Sequence, residues 1–144
     1  AKQLDKAKRN EQLAKTRQAM LTGDESGLPP RDKGPVRRYM RDYIDARWNL
    51  AEFMLPVMLV VLALSFMRTS TILFFVTILT YGVLLTAIVD TFLMWRRLRK
   101  KLGEKFGDEA AGAKGNGMYA AMRAFQLRRS RMPRTLVKRG EYPV

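Results

Sequence analysis

Residues 50–95 carry two long apolar segments with almost no chain between them. LAEFMLPVMLVVLALSFM is followed by Arg68-Thr69-Ser70 and then by TILFFVTILTYGVLLTAIVDTFLMW. The first segment, Leu50–Met67, holds one charge, Glu52, near its start, and the second, Thr71–Trp95, holds one, Asp90, near its end. As helices, segments of 18 and 25 residues reach about 27 and 37 Å, against a hydrocarbon core of about 30 Å. The competing reading, two buried helices of a soluble domain, fails on arithmetic. A chain of 144 residues with flanks this polar cannot wrap two helices that are apolar all round. A three-residue connection makes the two helices antiparallel neighbours. The expected fold is an all-α membrane protein, a two-helix transmembrane hairpin with cytoplasmic amphipathic and polar helices on both termini.

Charge sets the expected orientation. Residues 1–49 hold 12 Lys+Arg against 7 Asp+Glu, residues 96–144 hold 14 against 4, and the connection holds only Arg68. Basic residues resist translocation, so both termini are expected in the cytoplasm and the Arg68 turn outside a multi-pass cytoplasmic-membrane protein. Tyr43 and Trp48 precede the first segment, and Trp95 with Arg96 and Arg97 closes the second, where amphipathic rings and snorkelling cations settle at headgroups. No cleavable signal peptide is expected in this stretch, because the first apolar run begins some 50 residues in and is too long for one. A net charge of +14 calls for an anionic neighbour: inner-leaflet phospholipid, an acidic partner surface or nucleic acid.

Three pieces flank these segments. Residues 1–35 form a polar helix, Lys2–Leu21, and a Pro/Gly linker in which Leu28-Pro29-Pro30 is extended. Residues 36–49 form an amphipathic helix opened by Pro35. Val36, Tyr39, Met40, Tyr43, Ile44 and Trp48 recur at helical steps on one side, with Arg37, Arg38, Arg41, Asp42 and Asp45 on the other. That face suits either the membrane interface or a docking partner. Pro56 is expected to kink the first span. Residues 96–144 form a basic tail: RRLRKKLGEKF prolongs the second helix to Gly107, Gly107–Gly117 is a flexible linker, and Met118–Arg131 is a second amphipathic helix. Arginines crowd the last turns of that helix, and RTLVKRGEYPV is extended.

The candidate binding residues follow from this layout. Arg37, Arg38, Arg41, Arg96, Arg97, Arg99, Lys100 and Lys101 are expected to meet lipid headgroups or acidic surfaces, with Tyr43, Trp48 and Trp95 setting depth. Glu52 and Asp90 are the intramembrane acids. Proton relay is one use of such groups, but both lie within a turn or two of the interface, where Arg47, Arg96 and Arg97 can pair with them. Small residues for close helix contact exist (Ala63, Ser65, Thr77, Gly82, Thr86), yet no GxxxG pair occurs within the two apolar segments.

Catalysis has little to stand on. The chain has no His and no Cys, hence no imidazole base, no thiolate, no disulfide and no nitrogen or sulfur metal ligand. It carries neither a P-loop nor GxGxxG, so an enzyme, a cofactor and a small-molecule substrate are not expected. QLRRSR (Gln126–Arg131) and RRLRKK are basic enough for nucleic acid, but no nucleic-acid motif accompanies them and anionic lipid explains them more simply. A homo-oligomeric channel ranks last, because Thr71, Thr77, Thr80, Thr86 and Thr91 make no continuous polar stripe.

LPPRDKGPVRRYMRDYIDARWNLAEFMLPV (Leu28–Val57) and MYAAMRAFQLRRSRMPRTLVKRGEYP (Met118–Pro143) resemble an actinobacterial family of two-span membrane proteins of unknown function. The RDKGPVRRYMRDYIDAR and VKRGEYP blocks are the distinctive part, and the resemblance covers most of the chain from Lys2 onward. It implies location in the cytoplasmic membrane and transfers no catalytic residue. It also implies company, since small membrane proteins of this kind accompany the respiratory supercomplex of a cytochrome bc complex with cytochrome c oxidase. Two functions are therefore expected to compete. One is a non-catalytic accessory subunit of a large membrane complex, with complex subunits and anionic phospholipid such as cardiolipin as partners. The other is a membrane-anchored adaptor that recruits a soluble partner through its tails.

Overall fold

The computed structural model describes residues 1–143 and is helical throughout, with no strand among them. Six α-helices form in order: α1 Lys2–Thr22, α2 Pro35–Ala46, α3 Met54–Ser65, α4 Ser70–Phe106, α5 Asp108–Ala111 and α6 Asn116–Phe125. Short 3-10 turns occupy Glu25–Gly27, Leu50–Phe53 and Arg128–Ser130.

The spine is α4. Its 37 residues make a rod of about 55 Å that is apolar in its first two thirds and basic in its last. α3 packs against the first part, while α2, α5 and α6 gather around the last. Ala87, Thr91, Met94, Leu98 and Leu102 of α4 recur at three- and four-residue steps and are buried, so one stripe of the helix faces the core. Met40 and Ile44 of α2 and Ala120 and Ala124 of α6 complete that core, all fully buried. The small residues let the helix backbones approach closely. A Cβ added at Gly117 would sit in ordinary contact with the Trp95 indole, 3.4 Å away.

Above Ala87 the molecule has almost no interior. Val76 is the one buried residue that α4 contributes there, and α3 contributes none. Phe66, Phe74, Phe75, Tyr81 and Leu85 are each more than 60% exposed. By length and composition α4 is long and apolar enough to cross a membrane. The pair Pro35–Ala46 and Leu50–Ser65 reaches that length only together, and it is bent by 64° at its break.

The first apolar segment thus differs from its expected form. It is α-helical only over Met54–Ser65, about 18 Å, and a four-residue 3-10 turn leads into it. The bend falls at Arg47–Asn49, ahead of Pro56. Pro56 is the third residue of α3, in the first turn, where the helix asks for no amide donor. The cause of the break is polar. Asn49 Nδ2 donates to the Ile44 carbonyl at 3.0 Å, and the Gly140 amide donates to the Ala46 carbonyl at 2.7 Å. The last carbonyls of α2 are satisfied from outside the helix, so the helix stops there.

Other segments also depart from expectation. Leu28 and Asp32, in the first linker, are buried. The second linker contains α5, and buried Asn116 donates to the Ala110 carbonyl at 3.0 Å. α6 ends at Phe125, so Arg128, Arg129 and Arg131 lie beyond it, and only Arg123 occupies its last turn. α2 is not a half-open surface helix, because Arg41 and Asp45 on its polar side are as buried as Tyr39 and Tyr43 on its apolar side. α1 stands largely exposed, held at its end by Gly23 with φ +80° and by the Arg134 amide, which donates to the Met20 carbonyl at 2.8 Å. A Cβ on Gly23 would run into the Leu136 side chain.

Ala87 has no exposed surface, whereas Ala63 lies open on α3. Ala87→Leu should lower unfolding stability by about 1–3 kcal/mol through overpacking, and Ala63→Leu should change it by less than about 0.5 kcal/mol. Equilibrium unfolding followed by helical circular dichroism measures both.

Candidate functional site

Where the apolar part of the hairpin meets the polar part, seven charged side chains and one amide form a connected network. It starts on α6. Arg123 grips Asp45 of α2 with two parallel bonds, Nε to Oδ1 at 3.1 Å and Nη2 to Oδ2 at 2.7 Å. Arg131 bridges Asp45 to the 3-10 turn, with Nη1 at 3.0 Å from Asp45 Oδ1 and Nη2 at 2.8 Å from Glu52 Oε1. Arg139 takes the other oxygen of Glu52 at 2.9 Å.

Asn49 Nδ2 donates to Glu52 Oε1 at 3.0 Å, and its Oδ1 accepts from Arg47 Nη1 at 3.0 Å. Arg47 Nη2 then reaches Asp90 Oδ1 at 2.8 Å, while the Leu50 amide donates to Asp90 Oδ2 at 3.2 Å. One chain of contacts therefore runs from α6 through α2 and the tail to the middle of α4.

The centre of this network is dry. The side chains of Arg131, Asp45, Arg123 and Glu52 are 0%, 1%, 3% and 5% exposed. Both guanidiniums also spend donors on carbonyls: Arg123 on Pro133 at 3.0 Å and Arg131 on Gln126 at 3.2 Å. Burial pushes the Arg131 guanidinium below its ordinary value, and Asp45 and Glu52 work against that shift. Each carboxylate oxygen at the centre is met by at least one N–H donor. The chemistry this supports is positioning, with every charge used to hold another in place.

A second, separate polar contact lies farther back along α2. The Arg41 guanidinium donates to the Asp32 carbonyl, and the Tyr119 hydroxyl donates to Asp32 Oδ1 at 2.9 Å. Burial raises the Tyr119 phenol above its ordinary range, so it remains a donor.

The residues singled out from sequence fall into three groups. Arg47 pairs with Asp90 as expected, whereas Glu52 is held by Arg131 and Arg139, 79 and 87 positions away, and by neither Arg96 nor Arg97. Arg41 and Tyr43 are buried, so they belong to the interior and not to a headgroup face. Arg38, Arg96, Arg97, Arg99, Lys100 and Lys101 are exposed. Arg38 faces Glu25 at 3.5 Å, Arg96 lies 6.0 Å from the Phe92 ring, and Lys101 lies 4.9 Å from the Tyr43 ring. Arg37 is half-buried, 4.4 Å from the Tyr119 ring, and Trp95 is half-buried against Gly117. Trp48 is 64% exposed, stacked on Phe53 and covered by Arg139 at 3.5 Å. Arg123, Arg131, Arg139, Asn49 and the burial of Asp45 are what sequence reasoning missed. Their only sequence trace is an excess of arginine in a tail with few acids of its own.

Fold and site together define an all-helical protein in which an exposed apolar hairpin stands on an ion-locked polar base. The chain belongs to a family described as a protein of unknown function, DUF3043, whose model matches residues 1–141. An uncharacterized protein of Mycobacterium tuberculosis is 35% identical over 136 residues, covering 94% of this chain and 57% of its own length. An uncharacterized protein of Mycobacterium leprae is 38% identical over 130 residues, covering 90% of this chain and 56% of its own. The chain thus spans little more than half the length of the curated relatives it matches. No solved structure matches it significantly.

Asp45→Ala strands two buried guanidiniums and should cost about 3–5 kcal/mol of unfolding stability. Asp90→Ala breaks a pair whose partners are 15% and 20% exposed and should cost roughly 1 kcal/mol. Denaturant unfolding of the two variants against the parent checks the ranking.

Proposed function

We propose that this chain is a membrane-embedded hairpin with a cytoplasmic base, acting as a non-catalytic accessory subunit of a large cytoplasmic-membrane complex. One observation carries the reading: the position of the ion network relative to the tip of the hairpin. Asp90 lies 20 residues along α4 from Ser70, a rise of about 30 Å, which equals the thickness of a hydrocarbon core. Over that length the outward side chains are uncharged, mostly apolar and exposed, and the first charge, the half-buried Asp90, comes at its end. A soluble core helix would have its apolar surface covered. Here only 11% of the apolar window of α4 is buried.

The base supports a structural role. Its carboxylates are saturated by arginines, which suits a rigid platform under the hairpin. The outer basic residues of α4, Arg96, Arg97, Arg99, Lys100 and Lys101, would then lie at the inner leaflet, within reach of anionic phospholipid or acidic loops. By resemblance, the actinobacterial respiratory supercomplex is the first complex to test. The runner-up is an adaptor, favoured by α1, an exposed polar helix with only Ala19 buried. Replacing α3 and the apolar part of α4 with an unrelated hairpin would preserve an adaptor and abolish a subunit that packs through its spans.

Two measurements test this. In a chain with no native Cys, Arg68→Cys should react with an impermeant thiol reagent in intact cells; reaction only after lysis would overturn the topology. A pull-down of the tagged chain in mild detergent, read by mass spectrometry and a reduced-minus-oxidised spectrum, should bring haem-bearing subunits in fixed ratio. Recovery alone or with soluble proteins would remove the respiratory reading and leave the adaptor.

A further inference from the structure

Beside the ion network, a cavity of about 690 Å³ opens between the end of α1 and the C-terminal tail. Five of its lining residues are arginines (Arg128, Arg129, Arg131, Arg134 and Arg139), and among the described residues no acid lines it. Asp45 and Glu52 lie behind the wall, engaged by Arg123, Arg131 and Arg139.

The other three carry uncompensated charge. Arg128 donates only to the carbonyls of Asp45, at 3.3 Å, and Val137. Arg129 and Arg134 make no side-chain hydrogen bond or ion pair among the described residues. Like charges gathered around one opening repel, and a bound anion removes that repulsion.

We propose that this cavity is a binding site for a phosphate-bearing group, with Arg128, Arg129 and Arg134 as its anion contacts. Guanidinium forks match the oxygens of a phosphate two at a time. The volume lies within the usual range of ligand sites and leaves room for a phosphate together with the group that carries it. The Arg131 side of the wall is preformed, because Arg131 is immobilised by its two carboxylates and its carbonyl. Apolar contacts come from Leu21 and Met132 at the lining, and Thr135 adds a hydroxyl.

Two sources fit this chemistry, a lipid headgroup and a free phosphate. Only the lipid source rests on the membrane reading above. Arg139 links the cavity to the base of the hairpin, because its guanidinium covers Trp48.

The test is calorimetric titration of the full chain in neutral detergent with short-chain phosphatidylglycerol, short-chain phosphatidylcholine and inorganic phosphate. The parent should bind phosphatidylglycerol and ignore phosphatidylcholine. Arg129→Gln/Arg134→Gln should weaken binding at least about tenfold, by removing two charge-assisted contacts. These side chains hold nothing else, so the helical signal should be unchanged; if it falls, single Arg129→Gln makes the same comparison. Binding of inorganic phosphate without phosphatidylglycerol, lost in the same variant, keeps the site and removes its lipid source. No binding of either, or equal binding by parent and variant, overturns the proposal.

Discussion

The structure depends on the placement of Asp45, Arg131 and Glu52 in one dry cluster. Each buried charge alone would cost several kcal/mol, so the arrangement holds only when all partners arrive together. That condition couples segments with no local reason to meet: the end of α2, the 3-10 turn before α3, the end of α6 and the tail. Wrong pairings of the same helices would leave a guanidinium or carboxylate without a partner. The ion cluster therefore contributes more to the choice of arrangement than to the depth of the free-energy minimum, while Met40, Ile44, Met94, Leu98 and Leu102 supply the apolar burial.

α4 passes through two environments without interruption. Up to Ala87 its surface is mostly apolar and open; from Thr91 onward one stripe is core, and from Arg96 the rest is mostly basic. The change comes at Asp90, where Arg47 and the Leu50 amide fasten the returning chain to the helix. α3 and its 3-10 turn together rise about as far as α4 does between Ser70 and Asp90, so both limbs of the hairpin end at the same level. An apolar rod above and a charged platform below is the geometry that the functional proposal uses.

Much of this layout was legible in the residues. The polar helix over Lys2–Thr22, Pro35 at the start of α2, the tight turn at Arg68 and the basic continuation of α4 to Phe106 all follow from local patterns. The pairing of Asp90 with Arg47 was legible too, as a carboxylate near the end of one apolar segment facing an arginine before the other. What was not legible is the break between α2 and α3. Composition over residues 36–67 reads as a helix followed by a kinked helix, and only the side chain of Asn49 and the amide of Gly140 explain why the chain stops at Ala46. The end of α6 at Phe125 is similar, because Arg128 and Arg131 spend their donors on Asp45, Glu52 and backbone carbonyls away from that helix.

By itself the sequence determined the helical class, the apolar hairpin and the excess of positive charge, because these follow from periodicity, segment length and composition. It could not determine which arginines stay outside. Arg38 and Arg41 look alike three positions apart on α2, yet one is exposed and the other buried. Only the tertiary structure decides that, since burial of a charge depends on partners brought from far along the chain. Arg131 and Arg139 stand 79 and 87 positions from Glu52, a separation at which no local spacing rule operates.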